Sequence, residues 1–157
     1  TNIDELKYQD KGIKNVINGL KNGGGVLISP ASKMYLDIKY DSLTKLGLNW
    51  PGYINLKTAY DWKIEGEFPQ IPKNKIIGIE APLWSETIST SDDIDYLTFP
   101  RLPAYSEIGW TNSDKREWKD FISRIASHRF LWEERNINYY PSPLVDWENK
   151  NLEPENE

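Results

Sequence analysis

Two short apolar runs, each followed by a proline, constrain the fold of this chain most. The run Val26–Ile28 precedes Pro30, and the run Ile76–Ile79 precedes Pro82. Consecutive apolar residues rich in β-branched side chains are typical of strands covered on both faces, as in parallel sheets. Proline cannot donate to a sheet ladder, so pairing should stop near each proline. The sequence therefore predicts two buried strands of an α/β protein.

A helix is predicted before the first strand. Within residues 10–22, apolar side chains recur at i, i+3, i+4 and i+7, which places them on one helix face. The glycines at 23–25 should stop this helix, because glycine accepts the left-handed conformation that ends helices. A helix, a glycine loop and an apolar strand make up half of a βαβ unit, which favours a parallel sheet.

Further helices are predicted downstream, and a polar tail is predicted at the end. We expect a short helix at residues 54–60, a helix starting at Ser91, breaks at Pro100 and Pro103, and a last helix capped by Ser113 that covers residues 118–135 and closes at Asn136. Residues 148–157 are polar and acidic and are read as a disordered tail or linker. Residues 1–147 are taken as one domain.

The composition excludes several kinds of partner and site. The 157 residues carry 19 basic and 24 acidic side chains, a formal net charge of -5, which makes a nucleic-acid partner a poor fit. No apolar run approaches the roughly 20 residues of a membrane span. With no cysteine and a single histidine, we expect no metal site and no cofactor. The 7 Trp and 9 Tyr need a core or a ligand to cover them.

An aromatic residue and an acid, two positions apart, follow each predicted strand. These pairs are Tyr35 with Asp37 and Trp84 with Glu86. In extended backbone, residues two apart point the same way, so each pair can present a ring and a carboxylate to one space. A ring covers the C–H face of a sugar, and a carboxylate accepts hydroxyl hydrogen bonds. On spacing alone, the commoner alternative is that the rings belong to the core and the acids cap nearby backbone.

Longer motifs resemble a known enzyme family. Residues 29–37, 50–53, 59–62, 78–86, 99–102 and 107–110 are closely similar, in order and spacing, to the C-terminal part of family-20 β-N-acetylhexosaminidases. The resemblance covers about residues 10–147. It implies the C-terminal portion of a (β/α)8 TIM barrel, with the first run as its seventh strand and the second run as its eighth. It also implies a secreted or cell-surface bacterial protein.

The resemblance implies an activity and a role for each site residue. Such enzymes remove terminal β-linked N-acetylglucosamine or N-acetylgalactosamine, with the substrate's own acetamido oxygen as nucleophile. By this resemblance Tyr35 donates its hydroxyl to the acetamido oxygen, and Asp37 and Glu86 accept hydrogen bonds from O4 and O6 of the sugar. Trp84 walls the acetamide pocket, and Trp50 stacks on the neighbouring sugar.

The sequence departs from the family pattern at the acid/base machinery. The His-x-Gly-Gly-Asp-Glu segment is absent, and Asp4-Glu5 lacks the glycines and the strand that accompany it. We therefore expect a piece that binds part of the sugar and is inactive alone. A whole barrel takes about 250 residues, so two strands leave open edges, to be covered by the rest of the barrel or by self-association. Two alternatives stay open: a non-catalytic carbohydrate-binding or structural module, and a relative that releases a disaccharide.

A few other residues have structural interpretations. His128 is expected in a solvated position on the last helix. Arg101 and Glu107 belong to the family pattern, and structural salt bridges are their expected use. The apolar stripe from Trp118 to Trp132 is predicted to form core.

Overall fold

The computed structural model describes residues 3–69 and 71–148. Two compact units are distinguished within it. The first unit combines the chain up to Ile28 with Ile64–Glu80, and the second combines Ser29–Lys63 with the chain from Ala81 onward. The predicted tail lies outside the described residues apart from Glu148, and one domain over residues 1–147 stays a prediction.

Helices account for most of the regular structure. In chain order the described elements are α1 (Ile3–Lys21), β1 (Val26–Ile28), α2 (Ala31–Met34), α3 (Leu56–Asp61), α4 (Ile64–Glu67), a 3-10 helix (Lys73–Lys75), β2 (Ile76–Ile79), α5 (Ser91–Thr98), α6 (Arg101–Trp110) and α7 (Trp118–Glu134).

Both predicted strands form, and they pair with each other in parallel. Val26 lies opposite Ile76, and Ile28 lies opposite Ile79, with an irregular step between them. The prediction that both strands are covered on both faces is wrong for two side chains: Leu27 is 57% exposed and Ile77 is 69% exposed. The described residues add no third strand to this sheet.

Helix α1 is longer than its apolar stripe predicts. It begins at Ile3 rather than at residue 10, because residues 3–9 contain no proline or glycine that would stop it. Its end agrees with the prediction. Gly23 has a φ of +89°, in the left-handed region that closes helices.

The helix ends of the second unit agree with the predicted ends only in part. Thr90 caps α5, and Pro100 separates α5 from α6 as predicted. Pro103 does not break α6, because it lies in the first turn, where a backbone N–H has no helical partner to lose. Helix α7 has Glu117 at its N-cap instead of Ser113. Asn136 closes α7 as predicted, with a φ of +54°.

The core of the second unit is largely aromatic and aliphatic. Phe121, Ile125 and Trp132 of α7 are buried, as the predicted stripe requires. The ring of Phe121 stacks on Tyr60 of α3 at 4.4 Å between centroids. Helix α3 packs against both α6 and α7. These three helices therefore form one packed group in the second unit.

Candidate functional site

The two aromatic–acid pairs lie on neighbouring segments of the second unit, and the extended backbone predicted for them is interrupted by turns at residues 36–37 and 86–87. Helix α2 ends at Met34, and its C-cap Tyr35 has extended backbone, with a φ of −73° and a ψ of 121°. The backbone N–H of Leu36 donates to the carbonyl of Pro82 at 2.8 Å. This bond holds the Tyr35–Asp37 segment beside the segment that carries Trp84 and Glu86.

Three aromatic rings from the candidate residues meet at this place. The centroid of the Tyr35 ring lies 6.2 Å from that of Trp84 and 6.5 Å from that of Trp50, the latter pair edge to face. Trp84 is 51% exposed and Trp50 is 68% exposed. The rings therefore form a surface that is open to a ligand, and Trp84 is not the core residue that the alternative interpretation requires, whereas Tyr35 is half-buried.

The carboxyl group of Asp37 is buried without a full set of partners. Asp37 is 2% exposed, and its Oδ1 atom has no hydrogen-bond partner among the described residues. Burial raises the pKa of the Asp37 carboxyl, opposed by hydrogen bonds from the backbone N–H groups of Asp37 and Trp84, and the charge of Glu86 raises it further. A buried polar atom without a partner is costly unless a ligand or a water satisfies it.

Glu86 is the last of the five candidate residues, and it is accessible to solvent. Its side chain is exposed, and its charge acts on Asp37. The structure thus brings together all five candidate residues: Tyr35, Asp37, Trp50, Trp84 and Glu86. Whether they bind sugar stays a prediction.

A short ladder fixes the backbone of Asp37 from one side. The N–H of Leu48 donates to the carbonyl of Asp37, and the N–H of Lys39 donates to the carbonyl of Leu48, both at 2.8 Å. Gly47 has a φ of +97°, and a Cβ added there would lie 2.8 Å from the carbonyl oxygen of Asp37. Only glycine permits this close approach of the two segments.

Arg101 fixes the same segment from within, which corrects the predicted salt bridge. Arg101 is fully buried and pairs with no carboxylate in the described part of the chain. Its Nη2 donates to the carbonyls of Leu36 at 2.6 Å and Leu97 at 2.8 Å. Its Nη1 donates to those of Ile38 at 2.7 Å and Ile54 at 3.3 Å. Carbonyl oxygens, which every residue carries, are its partners, so no sequence pattern points to them.

The other singled-out residues lie away from these five. Glu107 forms the predicted salt bridge, with Arg124 at 2.7 Å. His128 is exposed on α7, as predicted, and lines an apolar cavity of about 470 Å³ between α6 and α7. None of the five candidate residues lines that cavity.

Two searches of the described residues concern other kinds of site. Within residues 3–69 and 71–148, no group of three or more acidic or histidine side chains is arranged to hold a metal ion. Among the described helices, none has both the length and the apolar composition needed to cross a bilayer.

Comparisons with known proteins place the chain among glycoside hydrolases. Residues 7–113 match the family model "Glycosyl hydrolase family 20, catalytic domain". A β-N-acetylhexosaminidase of Cellulomonas fimi is 42% identical over 125 residues, which cover 80% of this chain and 25% of that protein. The chain spans less than a third of the length of the curated relatives it matches.

Solved structures of glycoside hydrolases are also similar to this chain. The N-acetyl-β-hexosaminidase of Streptomyces plicatus, in complex with Thio-NAglucal, has 42% identity and a TM-score of 0.78. The alignment covers 83% of this chain and 26% of that one. An exo-β-N-acetylglucosaminidase of Vibrio harveyi in complex with N-acetylglucosamine has 32% identity and a TM-score of 0.70, over 80% of this chain and 20% of that one.

Proposed function

The chain belongs to glycosyl hydrolase family 20, and we propose that it supplies part of the sugar-binding wall of a β-N-acetylhexosaminidase. The observation that carries the proposal is the buried, unpartnered Oδ1 of Asp37 beside the three open rings. A sugar hydroxyl would satisfy that oxygen, while the rings would cover the apolar faces of the sugar. This combination fits a carbohydrate better than a purely apolar or a purely ionic ligand.

Each residue has a role in the proposed reaction, the removal of terminal β-linked N-acetylglucosamine or N-acetylgalactosamine. The acetamido oxygen of the substrate attacks the anomeric carbon, so that an oxazolinium intermediate forms and the configuration is retained. Tyr35 donates its hydroxyl to that acetamido oxygen and orients it for attack. Asp37 and Glu86 accept hydrogen bonds from O4 and O6. Trp84 walls the acetamide pocket, and Trp50 stacks on the adjoining sugar.

The acid/base pair of this proposal is not among the residues of the chain. In the family it lies in the His-x-Gly-Gly-Asp-Glu segment, which the sequence does not contain. The chain alone is therefore expected to be inactive, with hydrolysis a property of a full-length protein that carries it. A secreted or cell-surface location in a bacterium is part of the proposal and is tested by cell fractionation.

The two carboxylates are tested by Asp37→Asn and Glu86→Gln in the full-length protein. Each change removes a charge-assisted acceptor, and we expect KM for a chromogenic N-acetylglucosaminide to rise about tenfold or more for Asp37→Asn. Asp114→Asn is the matched control, because Asp114 is an exposed acid in the same unit and is not one of the five candidate residues. An enzyme that is indifferent to both site changes would contradict the proposed roles.

A second candidate is a non-catalytic carbohydrate-binding module. It is favoured by the finding that all five candidate residues lie in the second unit of this chain, while the acid/base segment is missing. It predicts that the chain alone binds N-acetylglucosamine measurably in titration calorimetry. The leading proposal predicts neither detectable binding nor turnover by the chain alone, so turnover would overturn the assignment of the missing acid/base pair.

A further inference from the structure

The side chain of Arg101 makes an unusual set of contacts for a buried cation. It is 0% exposed, and all four hydrogen bonds recorded for it go to backbone carbonyls. Its guanidinium carbon lies 3.9 Å from the centroid of the Tyr40 ring. Removing a cation from water is costly, and neutral carbonyls and a ring face compensate for it less directly than a carboxylate would. A contribution to the free energy of unfolding is therefore not a sufficient explanation for this buried arginine.

Two of the four carbonyls belong to the residues on either side of Asp37. Residues 36–37 form a turn. The carbonyls of Leu36 and Ile38 point toward Arg101, while that of Asp37 itself points toward the N–H of Leu48. Three consecutive peptide groups are thus fixed, and with them the direction of the Asp37 side chain.

We propose that Arg101 is a positioning residue for Asp37, which it aims at the sugar hydroxyl through the backbone on both sides. Arg101 does not touch the ligand in this proposal. The inference rests on the proposed function, because it assumes that Asp37 binds a sugar hydroxyl. The planar fork of the guanidinium matters, since it serves the two flanking carbonyls from separate nitrogens, whereas an ammonium group is a single point.

The charge of Arg101 has a second, separable effect. Among the described residues, two charged side chains act on the Asp37 carboxyl: Glu86 raises its pKa, and Arg101 lowers it. Removing the guanidinium charge should therefore raise the pKa of Asp37 further. The acidic limb of the KM profile, where protonation of Asp37 would weaken sugar binding in this proposal, should then move to higher pH.

A second arginine offers a matched control. Arg116 donates from Nη1 to the carbonyl of Tyr60 at 2.6 Å and from Nη2 to that of Trp62 at 2.9 Å. It also lies over the Tyr60 ring, at 5.4 Å from the centroid. The residue between its two carbonyls is Asp61, an exposed acid that pairs with Lys57 and is not among the candidate site residues. The arrangement repeats that of Arg101 without a sugar-binding carboxylate.

The experiment compares Arg101→Lys, Arg101→Met and Arg116→Met in the full-length enzyme, below the unfolding midpoint of each variant. We expect Arg101→Lys to raise KM about ten- to hundredfold, because the fork is lost, without moving the acidic limb, because the charge stays. Arg101→Met should raise KM and also shift the acidic limb to higher pH. Arg116→Met should change KM less than about twofold and leave the pH profile in place.

A double-mutant cycle separates positioning from a merely structural role. If Arg101 acts through Asp37, adding Arg101→Lys to Asp37→Asn should raise KM little beyond the single Asp37→Asn change. Multiplicative effects, or a KM for Arg101→Lys equal to that of the Arg116 control, would overturn the inference. Should Asp37→Asn itself leave KM unchanged, the proposed function has failed instead, and the two failures are thereby distinguished.

Discussion

At the scale of single residues, the two candidate carboxylates occupy opposite environments. Asp37 is buried with an unpartnered oxygen, whereas Glu86 is exposed. A site built for a sugar hydroxyl must keep an acceptor ready, and in the unliganded protein that acceptor is a cost to folding. Asp37 should therefore be a residue at which binding and stability oppose each other.

We predict that Asp37→Asn raises the unfolding midpoint of the protein at pH 7. The pKa of Asp37 is raised in the folded state, so its contribution to stability is present below the ordinary value of 3.8 and is lost as pH rises through the folded value. Asparagine cannot ionise, and its amide oxygen can still accept the N–H of Trp84. Thermal melts of both proteins at pH 7 and near pH 3.5 measure the difference.

The pH dependence of the unfolding midpoint shows whether ionisation of the buried Asp37 carboxyl causes the difference. The advantage of Asp37→Asn should shrink near pH 3.5, where the aspartate is mostly protonated in both the folded and the unfolded state. Asp114→Asn, a change at an exposed acid, should leave the midpoint unchanged at both pH values. A lower midpoint for Asp37→Asn at pH 7 would show that its backbone bonds outweigh the cost of its burial.

The candidate site residues could be predicted from the sequence, whereas the contacts that hold their backbone could not. Tyr35 with Asp37 and Trp84 with Glu86 share a two-residue spacing after an apolar run, and the family resemblance assigned them to one site. Extended geometry alone does not bring them together, because residues 36–37 and 86–87 form turns. The partners of Arg101 are four peptide carbonyls supplied by three segments, two of them distant in sequence and one a helical turn away. Every residue has a carbonyl, and only the folded backbone selects these four.

At the scale of elements, helix starts were the least predictable feature. Two hydroxyl residues, Thr90 and Ser91, stand where α5 begins; the helix starts at Ser91 as predicted, and Thr90 is its N-cap. Thr90 takes the cap because its side chain accepts the N–H of Asp93 at 3.2 Å, while the Asp93 carboxylate accepts the N–H of Thr90 at 2.9 Å. This reciprocal pair is a capping box. Ser113 lacks such a pairing at α7.

We predict that Thr90→Ala destabilises the protein by about 1 kcal/mol, the usual effect of losing an N-cap hydroxyl. The loss is local, because α5 keeps its buried Leu97 and its acidic first turn. Thr90→Ser, which keeps the hydroxyl, is the control and should unfold at nearly the parental denaturant concentration. Urea titration followed by circular dichroism measures both. Equal losses for the two variants would assign the effect to the threonine methyl group instead of the cap.

At the scale of the whole molecule, the predicted fold class is confirmed: the chain is a C-terminal portion of a (β/α)8 barrel, and it corresponds to 26% of a solved relative. Its two-stranded parallel sheet has free edges in the described residues. Pairing and direction of the strands were predictable from the apolar runs. The exposure of Leu27 and Ile77 was not predictable, because apolar runs of this kind do not indicate how many strands the sheet contains.

We predict that the isolated chain self-associates through this sheet. An open two-stranded sheet with Leu27 57% and Ile77 69% exposed offers both unpaired backbone and apolar surface. The double variant Leu27→Lys/Ile77→Lys should stay monomeric to higher concentration in sedimentation velocity. Leu43→Lys is the control, because Leu43 is 87% exposed in a loop of the second unit. A parental chain that stays monomeric at every concentration would contradict the prediction.

The close approach at Gly47 restricts how the proposed sugar wall can be redesigned. A Cβ at position 47 would lie 2.8 Å from the carbonyl oxygen of Asp37, and any side chain there also requires a strained backbone. A library that randomises residues 43–53 to change sugar preference should thus recover glycine alone at 47, while Leu43 and Tyr53, both exposed and outside the five candidate residues, accept many substitutions. The loop that carries Trp50 is anchored at Gly47, and Gly52, with a φ of +105°, is a second position in it that favours glycine.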